Sequence, residues 1–172
     1  MSNHPGRRRS GTGDEAFGAR SPANVPASET PPLFTISEVN ALIPTLNLIV
    51  AQQLREQSDI EQGLAELTQR CGRNPESLEP AAEDEADVQK LKSELRGRIN
   101  RYESGWRKVR ALGGIVKDPQ IGLVDFYGRV EGRVVWLCWR YGEDSLGYFH
   151  GLDEGYAGRR PISANVRKHL VN

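Results

Sequence analysis

Hydrophobic residues recur every three or four positions in a first long segment of the chain, as on one face of an α-helix. Ser37 and Glu38 stand at its start, so we assign Ser37 as the N-cap, with the Glu38 carboxylate in the first turn. Pro44 should kink this helix or begin it anew, and the helix should fade near Gly72. The stripe consists of Val39, Leu42, Ile43, Leu46, Ile49, Val50, Ile60, Leu64 and Leu67.

A second stripe is more regular and ends at Gly113 and Gly114. Residues 74–87, which carry acidic side chains and no basic one, connect it to the first helix. Two long helices with matching stripes and a short connector pair antiparallel, so residues 37–113 should form a helical hairpin. The second stripe consists of Val88, Leu91, Leu95, Ile99, Tyr102, Trp106 and Val109.

The pattern changes to alternation in residues 121–152, which predict a three-stranded antiparallel β-meander. Strands at 123–130 and 133–140 flank a two-residue turn at 131–132. This register sets Asp125 opposite Cys138 and Phe126 opposite Leu137. The face that carries Phe126 should pack on the helices, and the face that carries Asp125 should be mixed and partly wet.

The third strand should return through residues 146–152 after a turn at 142–145. If that turn is tight, Leu137 faces His150 and Trp139 faces Tyr148. His150 then lies on the helix-facing side of the sheet, opposite to the side of Asp125 and Cys138. A one-residue slip of this strand would exchange its two faces.

These elements predict a single α+β domain over residues 33–165, in which the meander packs at one end of the hairpin. A Gly-rich turn at 153–161 follows the meander. Residues 1–32 are rich in Pro, Ser, Gly and Ala and bury too little apolar surface to fold, so we expect a disordered tail. Residues 166–172 form a C-terminal tail.

Charge and cysteine content narrow the functional classes. The chain has 23 basic and 23 acidic residues, so its net charge does not favour nucleic acid as a partner. The basic residues beside the second stripe are typical of a coiled-coil rim. No apolar run approaches the roughly 20 residues that span a bilayer, and no hydrophobic segment follows Arg7, Arg8 and Arg9. We expect a cytoplasmic protein with two reduced thiols, at Cys71 and Cys138.

Several stretches together resemble a known family. Residues 34–44 read FTISEVNALIP, residues 122–128 read GLVDFYG, and LCWRYGED and GYFHGLDEGYAGRRP follow between 137 and 161. This combination resembles the prokaryotic family called domain of unknown function 2203, over residues 34–162. The resemblance implies the architecture above and a bacterial cytoplasmic setting, and it implies no activity. The chain has Phe149 where the family has Trp, and Gly151 where it has Glu, so no carboxylate directly follows His150.

Polar residues of the last fifty positions are the candidates for chemistry. Imidazole and carboxylates suit Zn, Fe or Mn, and His150, Glu143, Asp153 and Glu154 are the candidate ligands. Arg159 could hold an anion or form a salt bridge with Glu143 or Asp153. A histidine on an apolar face is more often a core residue with partnered ring nitrogens, and a mid-strand cysteine is more often packed than nucleophilic. The candidate polar cluster is Asp125, Glu143, His150, Asp153, Glu154 and Arg159.

Two functions remain open. The first is a non-catalytic module that binds another protein or itself, as a homodimer through its helices or a sheet edge, because a two-helix hairpin with a narrow stripe buries little alone. The alternative is a metal- or anion-binding enzyme centred on His150, Glu143, Asp153, Glu154 and Arg159. The enzyme requires these side chains to converge on one pocket.

Overall fold

The computed structural model describes residues 31–164 and confirms the α+β class. Two long helices precede a five-stranded antiparallel sheet. The predicted tails, 1–32 and 166–172, lie outside the described residues except for Pro31 and Pro32. The elements are α1 Ile36–Cys71, α2 Ala86–Ala111, β1 Ile115–Asp118, β2 Leu123–Val130, β3 Arg133–Arg140, β4 Tyr148–His150, a 3₁₀ turn Tyr156–Gly158, and β5 Arg160–Pro161.

The N-cap of helix α1 lies two residues before the predicted one. The cap is Thr35, whose Oγ1 accepts a hydrogen bond from the Glu38 N–H (3.2 Å) while the Glu38 carboxylate accepts one from the Thr35 N–H (2.8 Å). The assignment of Ser37 was therefore wrong, because this reciprocal pairing satisfies two free N–H groups that a cap at Ser37 would leave open. The helix runs through Pro44 without a new start, and it ends at Gly72 in the left-handed conformation, as predicted.

The two helices form the predicted antiparallel hairpin. Arg70 meets Asp87 beside the connector, and Glu56 meets Arg101 in the middle. Nearer the sheet, Gly105 lets the helices approach closely, since a Cβ there would lie 1.8 Å from the amide nitrogen of Gln53.

The sheet follows chain order, β1 to β5, with every neighbouring pair antiparallel. It has two strands more than predicted, because β1 has four residues and β5 only two, too few for an alternating pattern. The predicted register of β2 and β3 is confirmed, with Asp125 opposite Cys138 and Phe126 opposite Leu137.

The predicted register of the third strand was wrong by one residue. His150 lies opposite Trp136, and Tyr148 lies opposite Cys138. The connection between β3 and β4 is longer than a tight turn, because the Leu146 N–H donates to Asn40 Oδ1 (2.7 Å) instead of to β3. Both Tyr148 and His150 therefore lie on the face of Asp125, opposite to the face predicted for them.

The main hydrophobic core lies between the other face of the sheet and one end of the helical hairpin, as predicted. It joins the start of α1 and the end of α2 to β2 and β3. A smaller core at the connector end joins Leu67, Val88 and Leu95. Within residues 31–164, neither helix is long and apolar enough to cross a membrane. The largest fully buried core residues on the sheet are Val124, Phe126, Leu137 and Trp139.

Candidate functional site

Three chemically capable side chains meet on the sheet face that points away from the helices. Asp125 comes from β2, Cys138 from β3 and His150 from β4, so adjacent strands hold all three. One carboxylate oxygen, the thiol sulfur and a ring nitrogen lie within 4.8 Å of one another. The residues are 0%, 0% and 2% exposed. We call these three residues the buried triad.

Hydrogen bonds fix the tautomer of the His150 ring. Its Nδ1 lies 3.0 Å from the Gly151 carbonyl oxygen, which can only accept, so Nδ1 carries a hydrogen. Its Nε2 lies 3.0 Å from Asp125 Oδ2, so the second ring nitrogen faces the carboxylate.

Burial governs the ionisation of the other two members. Desolvation raises the pKa of Asp125, and the neighbouring Cys138 thiol and His150 ring only partly oppose it. Desolvation, followed by the charge of Asp125, raises the pKa of Cys138 far above the usual range for a thiol. Cys138 is therefore a neutral thiol at physiological pH when nothing is bound. Asp125 Oδ1 is buried and has no hydrogen-bond partner among the described residues.

The segment 151–159, which we call the cover loop, lies over the buried triad. Two side chains on the same sheet face reach it, and one side chain of the loop reaches back to the sheet. The Trp136 indole N–H donates to the Leu152 carbonyl oxygen (3.4 Å), and Arg140 donates to the Tyr156 hydroxyl (3.0 Å). Arg159 donates back to the Cys138 carbonyl oxygen (3.4 Å). The face predicted to be partly wet is thus closed over the buried triad.

An ion pair holds the far end of the cover loop. Nη2 of Arg159 lies 2.7 and 2.8 Å from the two carboxylate oxygens of Glu143, in the β3–β4 connection. The guanidinium also packs on the rings of Tyr148 (4.1 Å) and Tyr156 (5.1 Å). Both charged side chains are largely buried, so this is a desolvated pair and not a surface contact.

The six predicted site residues separate into four places. Asp125 and His150 belong to the buried triad, and Glu143 pairs with Arg159. Glu154 is exposed, accepts from the Gly151 N–H (2.7 Å) and pairs with Arg160. Asp153 is exposed on the cover loop. The predicted ligands Glu143, Asp153 and Glu154 do not form a ligand group with His150 in the part of the chain that the structure describes.

Cys138 is the site residue that the sequence analysis left out of its cluster. Its position opposite Asp125 was predicted, but the slipped strand put His150 on the other face. The predicted pairing of Cys138 with Asp125 was the signal in the sequence that could have placed Cys138 in the site. The surroundings of Cys138 do not favour a nucleophilic thiolate, because burial raises the pKa of its thiol and the ring nitrogens of His150 lie 3.0 Å from Asp125 Oδ2 and the Gly151 carbonyl oxygen.

A groove with a volume of about 500 Å³ lies elsewhere, between α2 and β1. None of its lining residues belongs to the buried triad or the cover loop. The three residues of the buried triad are themselves at most 2% exposed. The groove is lined by Tyr102, Glu103, Trp106, Arg107, Arg110, Val116 and Pro119.

Comparison with known proteins confirms the resemblance of the sequence. No curated protein and no solved structure matches the chain. The family model described as "Uncharacterized conserved protein (DUF2203)" matches residues 32–162, which is most of the chain and includes both the buried triad and the cover loop. The chain belongs to this family, domain of unknown function 2203.

Proposed function

We propose that this protein binds one divalent transition-metal ion at Asp125, Cys138 and His150, in a closed site that stabilises the sheet and does not catalyse a reaction. The observation that carries the proposal is the convergence of the three ligand atoms within 4.8 Å, from three adjacent strands. From this separation, small side-chain movements would bring all three ligand atoms to within about 2.0–2.3 Å of a shared zinc ion, the bond lengths of tetrahedral zinc sites.

Charge supports this assignment. A buried carboxylate and a buried thiolate are each costly, because a low-dielectric interior penalises isolated charge. With a divalent cation between them, Asp125 and Cys138 form a site of zero net charge, to which neutral His150 adds no charge. A metal also lowers the pKa of a coordinating thiol, which reverses the effect of burial on Cys138.

The surroundings of His150 support it further. Histidines that bind metals commonly donate their second ring N–H to a carbonyl or carboxylate, which orients the ring. The Gly151 carbonyl already plays this part, and it leaves Nε2 directed at Asp125. The unpartnered Oδ1 of Asp125 gives the carboxylate spare capacity as a ligand.

The ligand set also selects the kind of metal. Thiolate and imidazole favour Zn²⁺, Fe²⁺ or Co²⁺, whereas Mg²⁺ and Ca²⁺ prefer a shell of oxygen atoms. Three protein ligands would leave one position of a tetrahedral zinc ion to a further ligand, an arrangement that catalytic zinc sites share. The burial of Asp125, Cys138 and His150 favours a structural or sensing role over catalysis.

The test is metal analysis of the full chain, produced without an affinity tag and reloaded with Co²⁺. We expect about one equivalent of metal and a thiolate-to-cobalt charge-transfer absorption, as a single site with one thiolate predicts. Cys138→Ala should lose both, while the matched control Cys71→Ala should keep both, because Cys71 is exposed and far along the chain. Sub-stoichiometric metal in the wild-type protein contradicts the proposal.

We propose self-association as a second function, on a different observation. Four of the exposed large hydrophobic residues lie around the cover loop and the β3–β4 connection: Tyr141, Tyr148, Leu152 and Tyr156. Tyrosine and arginine are enriched at the energetic centres of interfaces, and Arg140 and Arg159 contact two of these rings. The same surface carries acidic Asp153 and Glu154, so two copies can match opposite charges about a two-fold axis.

The sheet edges are less suited to pairing with a second copy of the chain. Lys117 forms a bulge in the short edge strand β1 and Pro119 follows it, while the edge strand β5 contains Pro161. Bulges, lysine and proline are the features that keep edge strands from pairing with another chain. A dimer through the cover-loop surface is therefore the form of self-association that the structure favours.

Sedimentation velocity over a range of concentrations tests the dimer. We expect the double variant Leu152→Ser, Tyr156→Ser to shift the protein to monomer. Leu48→Ser is the matched control, because Leu48 is 76% exposed on α1 and lies outside this surface. A wild-type chain that sediments as a monomer at all concentrations contradicts the dimer.

The exposed, unpaired Cys71 supports our further proposal of a cytoplasmic location, where thiols stay reduced.

A further inference from the structure

We infer that the Glu143–Arg159 ion pair is a latch that controls how fast a metal ion enters and leaves the buried triad. The inference rests on the proposed metal site. Glu143 and Arg159 contact none of the ligand atoms. Their role is kinetic: they set the rates of metal uptake and release, whereas the ligands set the affinity.

The two faces of the sheet differ in how an ion could reach the buried triad. Behind it, the other sheet face is sealed by Phe126, Leu137 and Trp139, which are fully buried against the helices. Opening that side would break the main core of the domain. In front of the triad lies the cover loop, whose 3₁₀ turn and flanking residues are exposed or half-buried. Passage therefore requires the cover loop to move away from the sheet.

The two ends of the cover loop are held differently. Its first residue, Gly151, directly follows His150 and accepts a hydrogen bond from that ring, so this end stays with the buried triad. Its last residue, Arg159, precedes β5, which pairs with β4, and its side chain contacts Glu143 and the Cys138 carbonyl oxygen. Both ends of the loop are thus tied to the sheet, and breaking the Arg159 side-chain contacts frees the middle of the loop while all three ligands stay in place.

Glu143 is the fixed half of the latch. The Arg140 N–H donates to its carboxylate (2.8 Å), and the Trp139 indole N–H donates to its carbonyl oxygen (2.9 Å). Trp139 is itself fully buried in the core. The ion pair between this positioned carboxylate and the largely buried guanidinium of Arg159 keeps the loop closed. The loss of either partner leaves the other charge buried and uncompensated. Neutralising Glu143 should therefore raise the population of the open loop.

The experiment measures both directions of exchange with zinc. The full chain is loaded with zinc, and its release to an excess of a colorimetric chelator is followed by stopped flow. Uptake by the metal-free chain is followed separately by competition. We expect Glu143→Gln to speed release and uptake together by ten- to a hundredfold, and every tenfold corresponds to about 1.4 kcal/mol. A defect in the ligand shell would speed release alone.

Matched variants separate the latch from general loosening of the loop. Arg160→Gln removes the exposed ion pair between β5 and Glu154 of the cover loop, and both rates should stay within about twofold of wild type, because exposed pairs are weak. Tyr156→Phe removes only the hydroxyl that accepts from Arg140, and should speed exchange by a few fold. Tyr156→Phe also serves as the test if Glu143→Gln fails to fold.

The outcomes distinguish the two proposals. Stoichiometric zinc with unchanged exchange in both Glu143→Gln and Tyr156→Phe overturns the latch and leaves the metal site standing. Faster release without faster uptake also overturns it. A wild-type chain that holds no zinc overturns the metal site and the latch together.

Discussion

Two buried carboxylates in this domain have opposite surroundings. Glu56, in the middle of the helical hairpin, is 4% exposed and accepts hydrogen bonds from Arg101 (2.9 Å) and Gln52 (2.9 Å), with Arg98 at 3.4 Å. These partners, the Arg101 hydrogen bond first, lower its pKa. Asp125 is fully buried and faces one imidazole and one neutral thiol, and burial raises its pKa.

The difference separates a carboxylate whose hydrogen bonds are satisfied from one whose hydrogen bonds are not. Glu56 has as many donors as it needs, and its two arginines come from the partner helix, so it fixes the register of the hairpin. Asp125 keeps one buried oxygen without a hydrogen-bond partner among the described residues. The proposed cation between Asp125, Cys138 and His150 would give this carboxylate the partner that it lacks.

The largest expected effect is metal-linked stability. At free zinc a thousandfold above the dissociation constant, the free energy of unfolding should rise by about 4 kcal/mol. Glu56→Gln should show the full increase, although it starts from lower stability, while Asp125→Ala should show little or none. Urea unfolding in zinc-buffered and chelator-treated solutions measures both. Equal zinc stabilisation of the two variants would erase the distinction between the carboxylates.

The sequence predicted the hairpin and the central strands because their signals are long and local. Two helical stripes ending at glycines, and a turn at Glu131 and Gly132 between alternating runs, specify those elements without distant contacts. The edge strands β1 and β5 were not predictable, because strands of four and two residues carry no periodicity. The N-cap was misplaced because Thr35 and Ser37 are both good caps, and only Thr35 stands three residues before a glutamate.

The second effect is the intrinsic contribution of each carboxylate in metal-free protein. Glu56→Ala should cost about 1–3 kcal/mol, because it leaves Arg101 without its carboxylate acceptor, while Arg98 keeps its ion pair with Asp59. Asp125→Asn should cost less or stabilise the protein, because it removes an acid that burial disfavours. Urea unfolding of both variants measures these free energies. Arg101→Ala is the control, and it should lose part of the stability that Glu56→Ala loses. A larger loss for Asp125→Asn contradicts the comparison.

Half of the candidate site could be predicted from the sequence. The pairing of Asp125 with Cys138 follows from a two-residue turn, which sets the register at short range. The position of His150 depends instead on Asn40 in α1, which is distant in the sequence and binds the Leu146 N–H in the β3–β4 connection. A contact between residues so far apart leaves no local pattern, and a shift of one residue decides which face of the sheet His150 occupies.

The smallest expected effect is a difference in the sign of the pH dependence of stability. The lowered pKa of Glu56 makes its contribution fully present above its ordinary value of 4.5, and that contribution is lost as the pH falls through the lowered pKa. The raised pKa of Asp125 makes its contribution present below its ordinary value of 3.8, and that contribution is lost as the pH rises through the raised pKa. Urea unfolding of metal-free protein at successive pH values measures both.

Subtraction isolates each group from the other acids of the chain. The stability of wild type minus Glu56→Gln should increase with pH through the acidic range, and that of wild type minus Asp125→Asn should decrease with pH above 3.8. Two difference curves of the same sign would mean that Asp125 is as well satisfied as Glu56. A triad that is satisfied in this way without a metal would also remove the electrostatic reason for placing a cation between its members, because the thiol and the carboxyl would then be stable in the interior by themselves.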